Sequence, residues 1–88
     1  MVRIAIVDDE KVIREQIKNL IEKKQTGSAV DTYFSGEELL RAGKGYDIVF
    51  LDIQMDGMNG IDTARALRQK MDDTVLIFVT GVKDVEDS

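Results

Sequence analysis

The sequence predicts an α/β domain in which a parallel sheet is wrapped by helices, and three observations lead there. Four short apolar runs, VRIAIV at residues 2–7, AVDTYF at 29–34, YDIVFLD at 46–52 and VLIFVT at 75–80, have the length and β-branched content of strands. Between them lie segments whose apolar residues recur at helical spacing, so the order is β-α-β-α-β-α-β. The chain has 88 residues, which suits one domain and excludes two. Strands alternating with helices imply parallel strands joined by right-handed crossovers, with helices on both faces. A domain this small buries only about two-thirds of its unfolded surface, so each layer matters.

The first strand is interrupted only by Arg3 and ends on Asp8, Asp9 and Glu10. Asp9 is placed to cap the following helix, which competes with any ligand role for the pair. From Glu10 to Lys24, Ile13, Ile17, Leu20 and Ile21 mark an apolar stripe while Arg, Lys, Glu and Gln fill the other faces. Gly27 is placed to cap the end of that helix. The second strand alternates apolar and polar residues, as expected nearer a sheet edge. Ser35 and Glu38 form a capping box, opening a short helix through Leu39, Leu40 and Ala42 that ends at Gly43-Lys44-Gly45. The third strand is apolar until Asp52 and reads as central. Beyond the loop IQMDGMN, with Asn59 as cap, a helix from about Gly60 to Met71 should present Ile61, Ala64, Leu67 and Met71 on one face. The fourth strand ends at Thr80, and the acidic tail GVKDVEDS has no apolar periodicity, so fraying is expected unless a partner orders it.

Composition narrows the chemistry. Apolar residues at 43% and charged residues at 33% fit a globular rather than a disordered chain. With no cysteine and no histidine, these residues cannot form disulfides, thiolate metal sites, zinc centres or Ser-His-Asp triads. A net charge of −5 argues against direct nucleic-acid or anionic-membrane binding and suits a cation site, although moderate acidity also simply aids solubility. The opening MVRIAIVDDE meets charges too soon for a signal peptide, and no apolar run approaches membrane-spanning length, so a cytoplasmic location is expected.

Asp8, Asp9 and Asp52 all sit at carboxyl ends of strands, the edge where open parallel sheets bind ligands. A strand-closing aspartate often only bonds the turn that follows it. If the first and third strands are neighbours, however, the three carboxylates converge and repel unless a cation sits among them. Mg²⁺ takes one or two carboxylates, keeps several waters and leaves room for a phosphate oxygen. The remaining carboxylate could then act as nucleophile and form an acyl phosphate. Thr80, at the same edge, could donate to a phosphoryl oxygen, or could be there for its β-propensity. DIQMDGMNGIDT superficially follows a calcium loop, but its twelfth position is Thr63 rather than glutamate and a strand precedes it, which ranks that reading below Mg²⁺.

IAIVDDE at residues 4–10, FLDIQMDGMNG at 50–60 and IFVTG ending at Gly81 resemble the receiver domain of two-component response regulators, nearest to those carrying a LytTR-type DNA-binding domain. The resemblance implies a flavodoxin-like (CheY-like) doubly wound sheet. It implies Asp52 as phospho-acceptor, Asp8 and Asp9 as the acidic pair that holds Mg²⁺ with Asp52, the Gln54 backbone carbonyl as a further metal ligand, and Thr80 as the switch hydroxyl. It also implies a histidine kinase as phosphate donor and a protein that accepts phosphate without being an enzyme in the ordinary sense, beyond self-directed transfer and autodephosphorylation.

The chain also departs from that pattern. Asp56 and Gly57 stand where the family usually has a proline, which should loosen the loop without touching the ligands. Receivers continue through a fourth helix, a fifth strand bearing a lysine and a fifth helix, and Lys83 lies in the wrong segment to replace that lysine. The expected sheet is therefore a truncated four-stranded one, order 2-1-3-4, with three helices over residues 1–88. VLIFV would be an apolar edge, for which a homodimer or swapped assembly is expected. Three functions follow in order: a phospho-accepting receiver; a truncated receiver acting only as an oligomerising or interaction module; and a nucleotide or flavin binder. The last is disfavoured because DDEK, not a glycine-rich loop, follows the first strand.

Overall fold

The structure, a computed structural model, describes residues 1–24, 27–53, 60–70 and 73–79. The elements are β1 (Arg3–Val7), α1 (Lys11–Lys24), β2 (Ala29–Tyr33), α2 (Gly36–Ala42), β3 (Ile48–Asp52), α3 (Gly60–Lys70) and β4 (Val75–Val79). Every strand pair is parallel and the sheet order is β2-β1-β3-β4, as the sequence led us to expect.

That order has a physical consequence. The chain steps from β1 outward to β2 through α1, then returns past β1 to β3 through α2 and on to β4 through α3. Right-handed crossovers in opposite directions put their helices on opposite faces. Ala5, Val7, Val49 and Leu51 pack under α2 and α3 with Leu39, Tyr46, Ala64 and Leu67. Ile4 and Ile6, alternating with them along β1, face the α1 side. Each fully buried aliphatic side chain, Ile6, Leu39, Leu51 and Leu67 among them, is worth roughly 1.5–3 kcal/mol over its exposed state.

Local signals explain most boundaries. Ser35 Oγ accepts the Glu38 N–H at 3.1 Å, while Glu38 Oε1 accepts the N–H of Phe34, one residue earlier than the usual reciprocal partner. Gly43 ends α2 in the left-handed region at φ 66°. Gly27 is also left-handed, at φ 100°, but lies three residues past Lys24. Gly36 abuts Thr63, whose side chain is fully buried, and a Cβ at Gly36 would overlap Thr63 Oγ1. This close approach sets how α2 lies on α3.

Two predicted stripes need correction. Leu20 is 58% exposed, because α1 is seated on Ile13, Ile17 and Ile21, which repeat every four residues, and Leu20 lies beside that line. On α3, Ile61 is 48% exposed, and the buried set is Gly60, Thr63, Ala64 and Leu67. A threonine and a glycine took the face because their small size lets the helix approach the sheet. Asn59 and Met71, the expected cap and last apolar position, and the tail after Val79 lie outside the described residues.

Candidate functional site

The site forms where β1 and β3 end side by side. Val7 pairs with Leu51, so Asp8, just past the end of β1, and Asp52, the last residue of β3, lie side by side where the crossovers diverge. Asp8, Asp9 and Asp52 each bring a carboxylate oxygen to within 4.8 Å of the others. The convergence expected from strand adjacency is therefore present. Asp8 is 3% exposed and Asp52 is 1% exposed, while Asp9 is open to solvent.

Backbone contacts hold this corner. The Asp8 N–H donates to the Tyr33 carbonyl at 3.1 Å, tying the end of β1 to that of β2. Asp8 Oδ1 accepts the Glu10 N–H at 2.8 Å, so Asp8, rather than Asp9 as expected, bonds the turn before α1. Arg14, one turn into α1, donates from Nη1 to the Asp8 carbonyl at 2.7 Å. On the β3 side, the Ile53 N–H donates to the Val79 carbonyl at 3.3 Å and the Gly60 N–H to the Ile53 carbonyl at 3.4 Å. A Cβ at Gly60 would stand 2.5 Å from the Asp52 carbonyl oxygen, so only glycine lets α3 begin against the strand end that carries Asp52.

Gln54 and Thr80 lie outside the described residues. Among the described residues next to them, Asp52 pairs with Val79 across β3 and β4. Asp56, Gly57 and Lys83 are likewise outside the described residues. Sequence reasoning did not single out Arg14 or the restriction at Gly60. Arg14 sits one turn after an acidic strand end, and Gly60 is a poor helix former placed as the first residue of α3, so each left a trace in the sequence.

A second polar cluster lies under the sheet. The Tyr46 hydroxyl donates to Asp31 Oδ2 at 2.6 Å and is hydrogen-bonded to the Tyr33 hydroxyl, with the two rings edge to face at 6.2 Å. Burial, followed by the bonds to Asp31 and Tyr33, pushes the Tyr46 phenol well above its ordinary value. The Tyr46 carbonyl accepts the Thr74 hydroxyl at 2.8 Å, and the Arg3 guanidinium lies 6.0 Å from the Tyr46 ring centroid. These contacts clamp β1, β2, β3 and the approach to β4 near the opposite end of β3 from the carboxylates.

The donor set is all hard oxygen, the set that suits Mg²⁺ or Ca²⁺ and not softer metals. Two buried carboxylates and one exposed one leave a cation open to solvent on one side, which is the arrangement Mg²⁺ tolerates. Among the described residues, no helix is long and apolar enough to cross a membrane.

Comparison with known proteins agrees with this geometry. The chain is 31% identical over 84 residues to the sensory transduction protein LytT of Oceanobacillus iheyensis, covering 91% of this chain and 34% of that protein. It thus spans about a third of the length of such curated relatives. The response regulator TrrA of Thermotoga maritima, solved in complex with Mg²⁺ and beryllium fluoride, superposes with a TM-score of 0.84 at 37% identity, over 100% of this chain and 76% of that one. A structure of the histidine kinase ThkA in complex with TrrA matches with a TM-score of 0.81 at 40% identity, over 92% of this chain and 70% of the other. The response regulator receiver domain family matches residues 4–88. With the sheet order, the acidic corner and this match in agreement, the chain belongs to the response regulator receiver domains of two-component systems.

Proposed function

We propose that Asp52 accepts a phosphoryl group at a Mg²⁺ site formed with Asp8 and Asp9, the donor being a phosphohistidine of a histidine kinase. The observation that carries this reading is the convergence of the three carboxylates within 4.8 Å at adjacent strand ends. Asp8 and Asp9 would hold the ion, with Asp52 and the Gln54 backbone carbonyl as further ligands. Bound Mg²⁺ would neutralise charge on the phosphoryl oxygens during transfer. An Asp52 carboxylate oxygen attacks phosphorus in line, the phosphorus–nitrogen bond to the donor histidine breaks, and the product is an acyl phosphate. Thr80 donates its hydroxyl to a phosphoryl oxygen in the phosphorylated state. The domain serves as the receiving half of a cytoplasmic signalling pair, with no chemistry on outside substrates beyond loss of its own phosphate.

The test uses acetyl phosphate with Mg²⁺, read by intact-protein mass spectrometry. A gain of one phosphoryl group that is lost with EDTA and in Asp52→Asn is expected. An unmodified, folded parent would overturn the reading.

A second reading, an oligomerising module, is favoured by one observation. β4 carries no charged residue, lies at the sheet edge among the described residues, and exposes Val75, Ile77 and Phe78. On this reading the β4 edges of two copies pair into a homodimer or swapped assembly. The acetyl phosphate test separates the two readings: Asp52-dependent modification supports the first, and none in a folded protein supports the second.

A further inference from the structure

We infer that Arg14 is a positioning residue for the acidic corner, holding the Asp8 main chain so that the Asp8 carboxylate faces Asp52 and Asp9. The inference rests on the Mg²⁺ reading above and goes beyond it by adding a residue that touches none of the proposed ligand atoms. Asp8 is the first residue past β1, between the strand and α1. The bonds that hold it include its N–H to Tyr33, its Oδ1 to the Glu10 N–H, and its carbonyl to Arg14 Nη1. The first lies on the strand side of Asp8, the second closes a ring across the peptide between Asp8 and Asp9, and the third holds the carbonyl oxygen of that peptide directly from α1. Because that peptide joins Asp8 to Asp9, the Arg14 bond bears on the backbone from which two of the three carboxylates project.

The choice of partner is what makes Arg14 suited to this. Its guanidinium is committed to a neutral carbonyl at 2.7 Å, so it adds positive charge beside three acids without occupying a carboxylate oxygen that a cation would need. An arginine bonded to the carboxylates themselves would compete with the ion. Arg14 is also half-buried, and its position on α1 is fixed by the Ile13 and Ile17 contacts that seat the helix. Groups that orient metal ligands in this way typically change metal affinity by about 10- to 100-fold when removed.

The experiment compares the parent with Arg14→Met, which keeps the stem volume, and Arg14→Lys, which keeps one charged donor. Two quantities are read on folded protein: Mg²⁺ affinity by calorimetry, and hydrogen exchange of the Asp8 and Glu10 amides by NMR without metal. In Arg14→Met we expect Mg²⁺ affinity to fall about 10-fold and those two amides to exchange faster while the β3 amides keep their protection. Arg14→Lys should recover most of both. Unchanged amides or unchanged Mg²⁺ affinity in Arg14→Met would overturn the inference. A parent that binds no Mg²⁺ overturns the metal reading instead, and the metal-free amide comparison still decides whether Arg14 positions Asp8.

Discussion

Ile6 and Ile77 are the same residue on the same face of one sheet, in a lateral row that runs Thr32, Ile6, Phe50, Ile77. Ile6 is 0% exposed and Ile77 is 39% exposed. Phe50, between them, is half-buried. Hydrophobicity cannot explain the gradient, because the end members are chemically identical. Topology explains it: α1 joins β1 to β2 and lies over that half, whereas α2 and α3 cross on the other face. One half of this face is therefore sealed, and the other half presents apolar side chains among the described residues. Burial here is a property of the layer above a residue rather than of the residue.

The comparison can be broken by truncating both ends of the row. Ile6→Ala removes side-chain atoms from a filled site and should cost about 2–5 kcal/mol. Ile77→Ala removes atoms that already meet solvent and should cost under about 1 kcal/mol. Urea unfolding followed by circular dichroism gives both values. Equal losses would show that Ile77 is covered in solution, by a second copy or by further chain, and would end the explanation by topology alone.

The same contrast separates what was legible in the sequence from what was not. The strands, the helices and the three strand-end acids could be read because strand length, helical spacing and turn residues are local signals. The meeting of Asp8 with Asp52 required only that β1 and β3 be adjacent, an expectation carried by the family's order. Leu20 and Ile61 were placed too far inside, because a 3.6-residue period locates the centre of a stripe but not how far the opposing layer reaches. Thr63 was passed over as polar, since nothing near it in sequence shows that Gly36 makes room for it. The Tyr33, Tyr46 and Asp31 cluster joins residues 13 and 15 positions apart, and no local pattern encodes such a contact. Gln54 and Thr80 rest on the resemblance and lie outside the described residues.

The opposite face of the sheet, under α2 and α3, holds a part-buried hydroxyl network, and pH provides a way to sharpen the contrast there. The Tyr46 phenol is raised above 10.0, its ordinary value, by burial and by bonds that favour the protonated form. The folded state therefore binds the proton more tightly than the unfolded state. Its contribution is fully present below pH 10 and is lost as pH rises beyond that value, because the unfolded chain ionises first. Tyr46→Phe should remove this alkaline loss and cost about 0.5–1.5 kcal/mol at neutral pH, the net worth of a hydrogen bond, since Asp31 and Tyr33 are half-exposed and water can replace the lost partner. Unfolding midpoints measured from pH 8 to 11 check both parts. A Tyr46→Phe protein that keeps the full alkaline loss would assign it to another group.

The smallest expected change in folding stability is at the open end of the row. Ile77→Lys puts a charge where the side chain already reaches water, so stability should shift by no more than about 0.5 kcal/mol. Its effect on self-association should be much larger. If two β4 edges pair, Ile77 of each copy meets the other sheet across the new seam, and a lysine there brings like charges together and must be desolvated. Light scattering coupled to size-exclusion chromatography should then show parent dimers and Ile77→Lys monomers at the same concentration. A parent that stays monomeric at high concentration would sink the pairing of β4 edges, and the exposed half of this face would then carry no role in joining copies. Parent and variant dimers of equal strength would place the contact elsewhere, since a charged edge cannot pair as readily as an apolar one.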